Sequence, residues 1–135
     1  MSLIITPFYA GLLALFYFYL TIQVVKQRRE NRVSIGAGKN RLLERAMRVH
    51  GNFSEYAPIA LLLIAFAELL GTPSWSIHAL ALALIAGRLL HAYGLGQEPD
   101  NLKFRRWGMY LTAGVIICAA ITCIVLSGQA MIAGI

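Results

Sequence analysis

Apolar residues fill four long stretches of the chain, approximately Leu3–Val25, Phe53–Leu70, Trp75–Tyr93 and Trp107–Leu126. Each is long enough to cross a hydrocarbon core of roughly 30 Å as an α-helix. A segment inside lipid must satisfy its own backbone hydrogen bonds, which leaves helices or a closed barrel, and continuous apolar runs select helices. The pattern predicts an all-α membrane protein: a four-transmembrane-helix bundle in one domain over residues 1–135, with helices near 3–25, 41–70, 75–93 and 107–127.

The polar punctuation refines this outline. Lys26 to Asn40, with Gly36-Ala37-Gly38 inside it, reads as a flexible loop. Arg41 to His50 reads as helix again, so helix 2 is expected to start outside the membrane and run in. Pro58 is expected to kink that helix or loosen a turn of it, freeing a backbone carbonyl. Gly94 to Asp100 breaks the chain after helix 3, and Ala79, Ala81, Ala83, Ala86 and Gly87 would let helices approach closely. No basic residue precedes the first run, and Val24-Val25-Lys26-Gln27 is no small-residue cleavage site, so helix 1 is expected to be retained.

Composition agrees: 59% of residues are hydrophobic and 13% charged, unlike a water-soluble domain. The net charge of +6 raises the question of nucleic acid, but its placement answers differently. Eight of the twelve Lys and Arg residues lie between or beside helices 1 and 2, and Arg88, Lys103, Arg105 and Arg106 flank the helix 3–4 connection. All of them fall on one side of the membrane. By the positive-inside rule that side is cytoplasmic, both termini are non-cytoplasmic, and no nucleic-acid partner is expected. Cys118 and Cys123, five residues apart, lack metal-type spacing and read as buried free thiols.

Helix 2 carries the most informative polar pattern. At 100° per residue, Arg41, Arg45, Arg48, Asn52 and Glu55 fall within about 80° of one another. This stripe descends from the cytoplasm into the membrane. Its outer part is explained by a solvated face. Its inner part is not, because a charge within a membrane helix costs on the order of 2.5–3.5 kcal/mol and normally faces a bundle interior or a wet cavity. An ion pair between Glu55 and Arg48, or an arginine of another helix, is the simplest structural account of Glu55. On helix 3, Arg88 and His91 share a face, with Tyr93 following; snorkelling would account for Arg88 alone. Topology brings these residues, with Arg28 and Arg29 of helix 1 and Arg105, Arg106 and Tyr110 of helix 4, to one face. A cationic pocket there suits a small anionic molecule, with arginines forking onto carboxylates and Glu55 taking an ammonium. Glu68 and His78 lie towards the opposite face.

Asn52-Phe53-Ser54-Glu55-Tyr56-Ala57-Pro58 is similar to the N-x-S-E-Y-x-P signature of the MAPEG family, the membrane-associated proteins in eicosanoid and glutathione metabolism. Arg28-Arg29 with Arg32-Val33-Ser34 resembles the end of helix 1 in the leukotriene-synthase branch. Gly87-Arg88-Leu89-Leu90-His91 resembles the G-R-x-x-H of prostaglandin-synthase and bacterial members, and Arg105-Arg106 with Tyr110 resembles the opening of helix 4. The resemblance spans essentially the whole chain. It implies a bacterial-type member of the inner membrane, a homotrimer binding glutathione as co-substrate between subunits at the cytoplasmic face. Carried over by position, Arg48, Asn52, Glu55, Tyr56, Arg88, His91, Tyr93 and Tyr110 would bind glutathione. Arg28 or Arg29 and His50, on the opposite face of helix 2, would reach the neighbour's ligand.

The chemistry this implies follows from charge. A thiol titrates near pH 8.5 and needs adjacent positive charge to ionise near neutrality. Arg105 or Arg106 would stabilise the thiolate, which could attack a hydrophobic electrophile or reduce a lipid hydroperoxide arriving from the bilayer. The chain departs from the eicosanoid synthases at the further helix 3 tyrosine, where it carries Leu95, with Tyr93 two residues earlier. The expected function is a glutathione-dependent transferase or peroxidase; the alternative is a non-catalytic lipid- or glutathione-binding protein on the same scaffold. A proton-coupled four-helix exporter using Glu55 is disfavoured by the one-sided charge.

Overall fold

The computed structural model describes residues 2–134, which form helices α1 (Ile5–Asn31), α2 (Arg41–Leu69), α3 (Ser74–Gly96) and α4 (Leu102–Ala133). All four are long and apolar enough to span a membrane. Their ends differ from the apolar runs because charged residues at the basic end continue the helices rather than ending them. α1 runs on through Arg28 and Arg29, closing where Arg32 turns left-handed (φ 54°) and Val33 N–H reaches the Arg28 carbonyl at 3.0 Å. α3 continues through Gly94 and Leu95 to Gly96, which shortens the expected loop. α4 begins five residues before Trp107, where the Asn101 side chain accepts from Phe104 N–H at 3.2 Å. Asn40 caps α2 in the same way, accepting from Leu43 N–H at 2.9 Å.

α2 occupies the middle. It packs against α1, α3 and α4, and α3 packs most extensively on α4. One face of α2, Val49, Phe53, Ala57, Ala60, Ile64 and Ala67, supplies much of the core, meeting Leu13 and Leu20 of α1, Ile77 and Leu84 of α3, and Val115 and Ala119 of α4. That helical spacing survives Pro58, which sits on an exposed face inside an unbroken helix. The outward faces are apolar as well, with Leu15, Phe18, Ile121 and Ile124 exposed, as a lipid-facing surface requires. Cys118 lies on that exposed surface rather than buried, while Cys123, half-buried, meets the Leu63 carbonyl with its Sγ at 3.3 Å.

Close approach of α3 and α4 fixes their register. A Cβ added to Gly108 would lie 2.5 Å from the His91 backbone nitrogen and 2.6 Å from the Gly87 carbonyl oxygen. One added to Gly94 would lie 2.6 Å from the Arg105 nitrogen. Glycine is the residue these contacts admit, because backbone atoms cannot swing away. Gly87, Gly94 and Gly108 are thus points of close approach between α3 and α4.

Candidate functional site

Arg88 lies at the centre of the polar residues. It is 1% exposed, so it does not snorkel; its guanidinium turns inward among three helices. Nε donates to Thr112 Oγ1 at 3.0 Å, Nη1 to Asn52 Oδ1 at 2.8 Å, and Nη2 meets the Met109 sulfur at 3.4 Å. The Tyr56 ring lies under the guanidinium, 5.6 Å from Cζ to centroid. Thr112 and Met109 were not singled out from sequence, although a hydroxyl four residues after Gly108 on an apolar helix was the available signal.

His91, one turn along α3, is 4% exposed. Its Nδ1 lies 3.1 Å from the Arg105 carbonyl oxygen, which can only accept, so Nδ1 carries the proton of this contact. Nε2 is buried without a hydrogen-bond partner among the described residues.

Glu55 and Arg48 are exposed on the flank of α2, and among the described residues neither has an ion-pair partner. The simple Glu55–Arg48 pair is therefore absent. Fourteen residues separate Glu55 from Leu69, about 21 Å along the helix, which leaves the carboxylate within a hydrocarbon core of roughly 30 Å. A carboxylate at that depth is expected to face a bundle interior, a wet cavity or a counter-charge.

On the side of Arg88 nearer the basic end lies a polar cleft of about 420 Å³ between α2, the α3–α4 loop and the start of α4. Arg41, Arg45, Arg48 and Arg105 line it together with Glu44, Glu98 and Asp100. Glu98 receives Arg45 Nε at 2.6 Å and lies 3.4 Å from Arg41 Nη1, and Asp100 receives Arg105 Nη1 at 3.0 Å. The hydrogen bond from Arg45, reinforced by the charges of Arg45 and Arg41, holds the Glu98 carboxyl below its ordinary range. Arg105 and Arg106 diverge by about 100°. Arg105 lies in the cleft, while Arg106 turns back to the Leu102 carbonyl at 3.4 Å.

Other expected site residues lie apart within one chain. Tyr93 is about 140° around α3 from Arg88; it is exposed, packs on Phe104 at 5.6 Å, and lines an apolar groove of about 550 Å³ between α1 and α3. Tyr110 is exposed on α4 beside Trp107. His50 faces α1, stacked on Tyr17 at 4.6 Å with Nε2 3.1 Å from the Thr21 hydroxyl. Arg28 folds the α1–α2 loop around itself, donating to the Ser34 and Gly36 carbonyls at 3.1 and 3.0 Å, while Arg29 is exposed.

The opposite end is built separately. The Glu68 carboxylate accepts the backbone N–H groups of Ile4, Ile5 and Thr6 at 2.8, 2.7 and 2.8 Å, plus the Thr6 hydroxyl, capping α1 from α2. His78 Nδ1 meets the Tyr9 hydroxyl at 2.8 Å, joining α3 to α1.

Fold and site together define a small membrane protein of four spanning helices, with one buried, hydrogen-bonded arginine beneath an arginine-rich cleft at one end. A model of the MAPEG family matches residues 6–125, and the chain belongs to that family of membrane proteins of glutathione and eicosanoid metabolism. Inner membrane protein YecN of Escherichia coli strain K12 is 39% identical over 108 residues, covering 80% of this chain and 81% of that protein. Inner membrane protein YecN of Escherichia coli O6:H1 matches to the same extent.

Proposed function

We propose that the protein is a glutathione-dependent transferase or peroxidase of the bacterial inner membrane, acting on a hydrophobic electrophile or lipid hydroperoxide at its basic, cytoplasmic face. The observation that carries this reading is the Arg88–Asn52–Tyr56 cluster, with Arg48 and Glu55, which have no ion-pair partner among the described residues, on neighbouring turns of α2. Arg88 holds Asn52 and Tyr56 in place, the exposed Arg48 one turn away offers a guanidinium for a carboxylate, and Glu55 offers an anion at membrane depth suited to an ammonium. A small peptide bearing both groups matches that arrangement.

Oligomerisation completes the site in this reading. Glu55 and Ser54 put polar groups on an outer face of α2 at membrane depth, and a second copy is the partner that would cover them. A homotrimer would bring His50 of a neighbour, together with its Arg28 or Arg29, towards this face. Arg105, in the cleft, or Arg106, on the outer flank, would then hold the sulfur as thiolate, lowering its pKa by proximity of charge. The one-sided Lys and Arg placement supports a cytoplasmic basic end with both termini on the other side. The inner-membrane location of the YecN relatives supports the same membrane for this chain.

Glutathione conjugation and hydroperoxide reduction by the purified protein in lipid nanodiscs test the reading, with Arg105→Ala and Arg106→Ala compared for rate at saturating glutathione. Turnover lost in one variant with binding retained identifies the thiolate partner. A second reading, a non-catalytic lipid- or glutathione-binding protein, is favoured by two observations: Tyr93 faces the apolar groove, and Arg105 is engaged by Asp100. Saturable glutathione binding without turnover of any electrophile would select it.

A further inference from the structure

The α3–α4 loop carries two carboxylates for which the proposed chemistry has no use, and both are bound to arginines of the polar cleft. Glu98 bridges Arg45 and Arg41, and Asp100 holds Arg105. Arg48 is the cleft arginine without an ion-pair partner among the described residues. Arg48 stands one helical turn before Asn52, which puts the inner end of the cleft one turn of α2 from the Arg88 cluster. Two acids of the chain itself therefore occupy arginines that an incoming anionic ligand would use.

We infer that Glu98 and Asp100 form an acidic strap that competes with the anionic groups of a ligand, its carboxylates or its thiolate, for Arg45 and Arg105, and so sets the affinity of the site. The inference rests on the glutathione reading given above. The strap is anchored at both ends: Asn101 N–H bonds the Gly94 carbonyl at 2.8 Å, and the Asn101 side chain caps α4. Only residues 97–100 must move to release it. Its bridges are partly exposed, with the Glu98 side chain 36% and the Arg105 side chain 45% accessible, and such pairs are weak enough for a ligand to exchange. Glu44 also lines the cleft but bridges no arginine, which makes it an internal control for charge alone.

The test is equilibrium binding of glutathione and, separately, of inorganic phosphate to the full-length protein in nanodiscs. Glu98→Gln and Asp100→Asn should each tighten both ligands by about threefold or more, as loss of a competing surface bridge permits. Glu98→Asp should stay near wild type, and Glu44→Gln should change affinity less than either strap variant. Unchanged or weaker binding of both probes in strap variants that melt like wild type would overturn the inference, as would equal tightening by Glu44→Gln. Tighter phosphate binding with no glutathione binding in any variant would instead overturn the glutathione reading and leave the strap standing.

Discussion

Arg88 donates through Nη1 to the side-chain oxygen of Asn52 at 2.8 Å, joining the buried face of α3 to the polar stripe of α2. Nε binds Thr112 from α4 in the same plane of contacts, so one guanidinium ties three helices together. Lysine cannot reproduce this fork. Arg88→Lys is expected to destabilise the fold by about 2 kcal/mol and Arg88→Ala by about 3 kcal/mol, since each leaves buried polar groups unpaired. Reversible denaturation in mixed micelles measures both. Equal stability of Arg88→Ala and wild type would contradict the assignment.

Glu68 should matter to α1 although it belongs to α2. Its carboxylate receives three consecutive backbone N–H groups at the positive end of the α1 dipole. Glu68→Gln turns an amide donor towards groups that need acceptors. The expected loss is about 2 kcal/mol of stability, with faster hydrogen exchange confined first to the opening turn of α1. Exchange that is unaltered there would disprove the cap.

Gly108→Ala tests the register of α3 and α4. The added methyl would meet backbone on α3 at 2.5 Å, so the helices must part. A loss of about 1–3 kcal/mol is expected from overpacking, whereas Gly114→Ala, with open space around the new Cβ, should be near neutral. The same denaturation experiment compares them.

The Glu98 tether should depend on pH in a defined direction. Its carboxyl titrates below the ordinary value of 4.5 because Arg45 donates to the ionised form. The stability it contributes is therefore fully present above pH 4.5 and is lost as pH falls through the lowered value; it does not change on the alkaline side. Carboxyl NMR should report the depressed titration, and Arg45→Gln should return it towards the ordinary range.

The four helices were legible because lipid imposes one requirement on every turn of a spanning segment, and apolar runs display it. Their extensions were less so. Arg28, Arg29, Lys103 and Arg105 are polar but helical, and hydropathy marks where the apolar part of a helix stops rather than where its hydrogen bonding does. The stripe from Arg41 to Glu55 followed from helical period alone, and its division did not. Asn52 and Arg45 turn to α3 while Arg48 and Glu55 stay open, a split set by where α3 and α4 pack. The choice between Arg105 and Arg106 for the cleft depends on the α3–α4 register, which Gly94 and Gly108 fix through contacts distant in sequence. The Glu68 cap was hidden for the same reason, since its three partners lie more than sixty residues away.

The central claim is that Glu55 and the Arg88–Asn52 cluster form a glutathione site, and binding of isotopically labelled glutathione to wild type, Glu55→Gln and Asn52→Ala in nanodiscs tests it most directly. Removing the charge that faces the ligand's ammonium should weaken binding about tenfold or more, as loss of a charge-assisted hydrogen bond does. Asn52→Ala should weaken it in the same direction by releasing Arg88. Saturable wild-type binding that falls in both variants is the predicted result. Glutathione affinity unchanged by Glu55→Gln, or no saturable binding to wild type, would contradict the account.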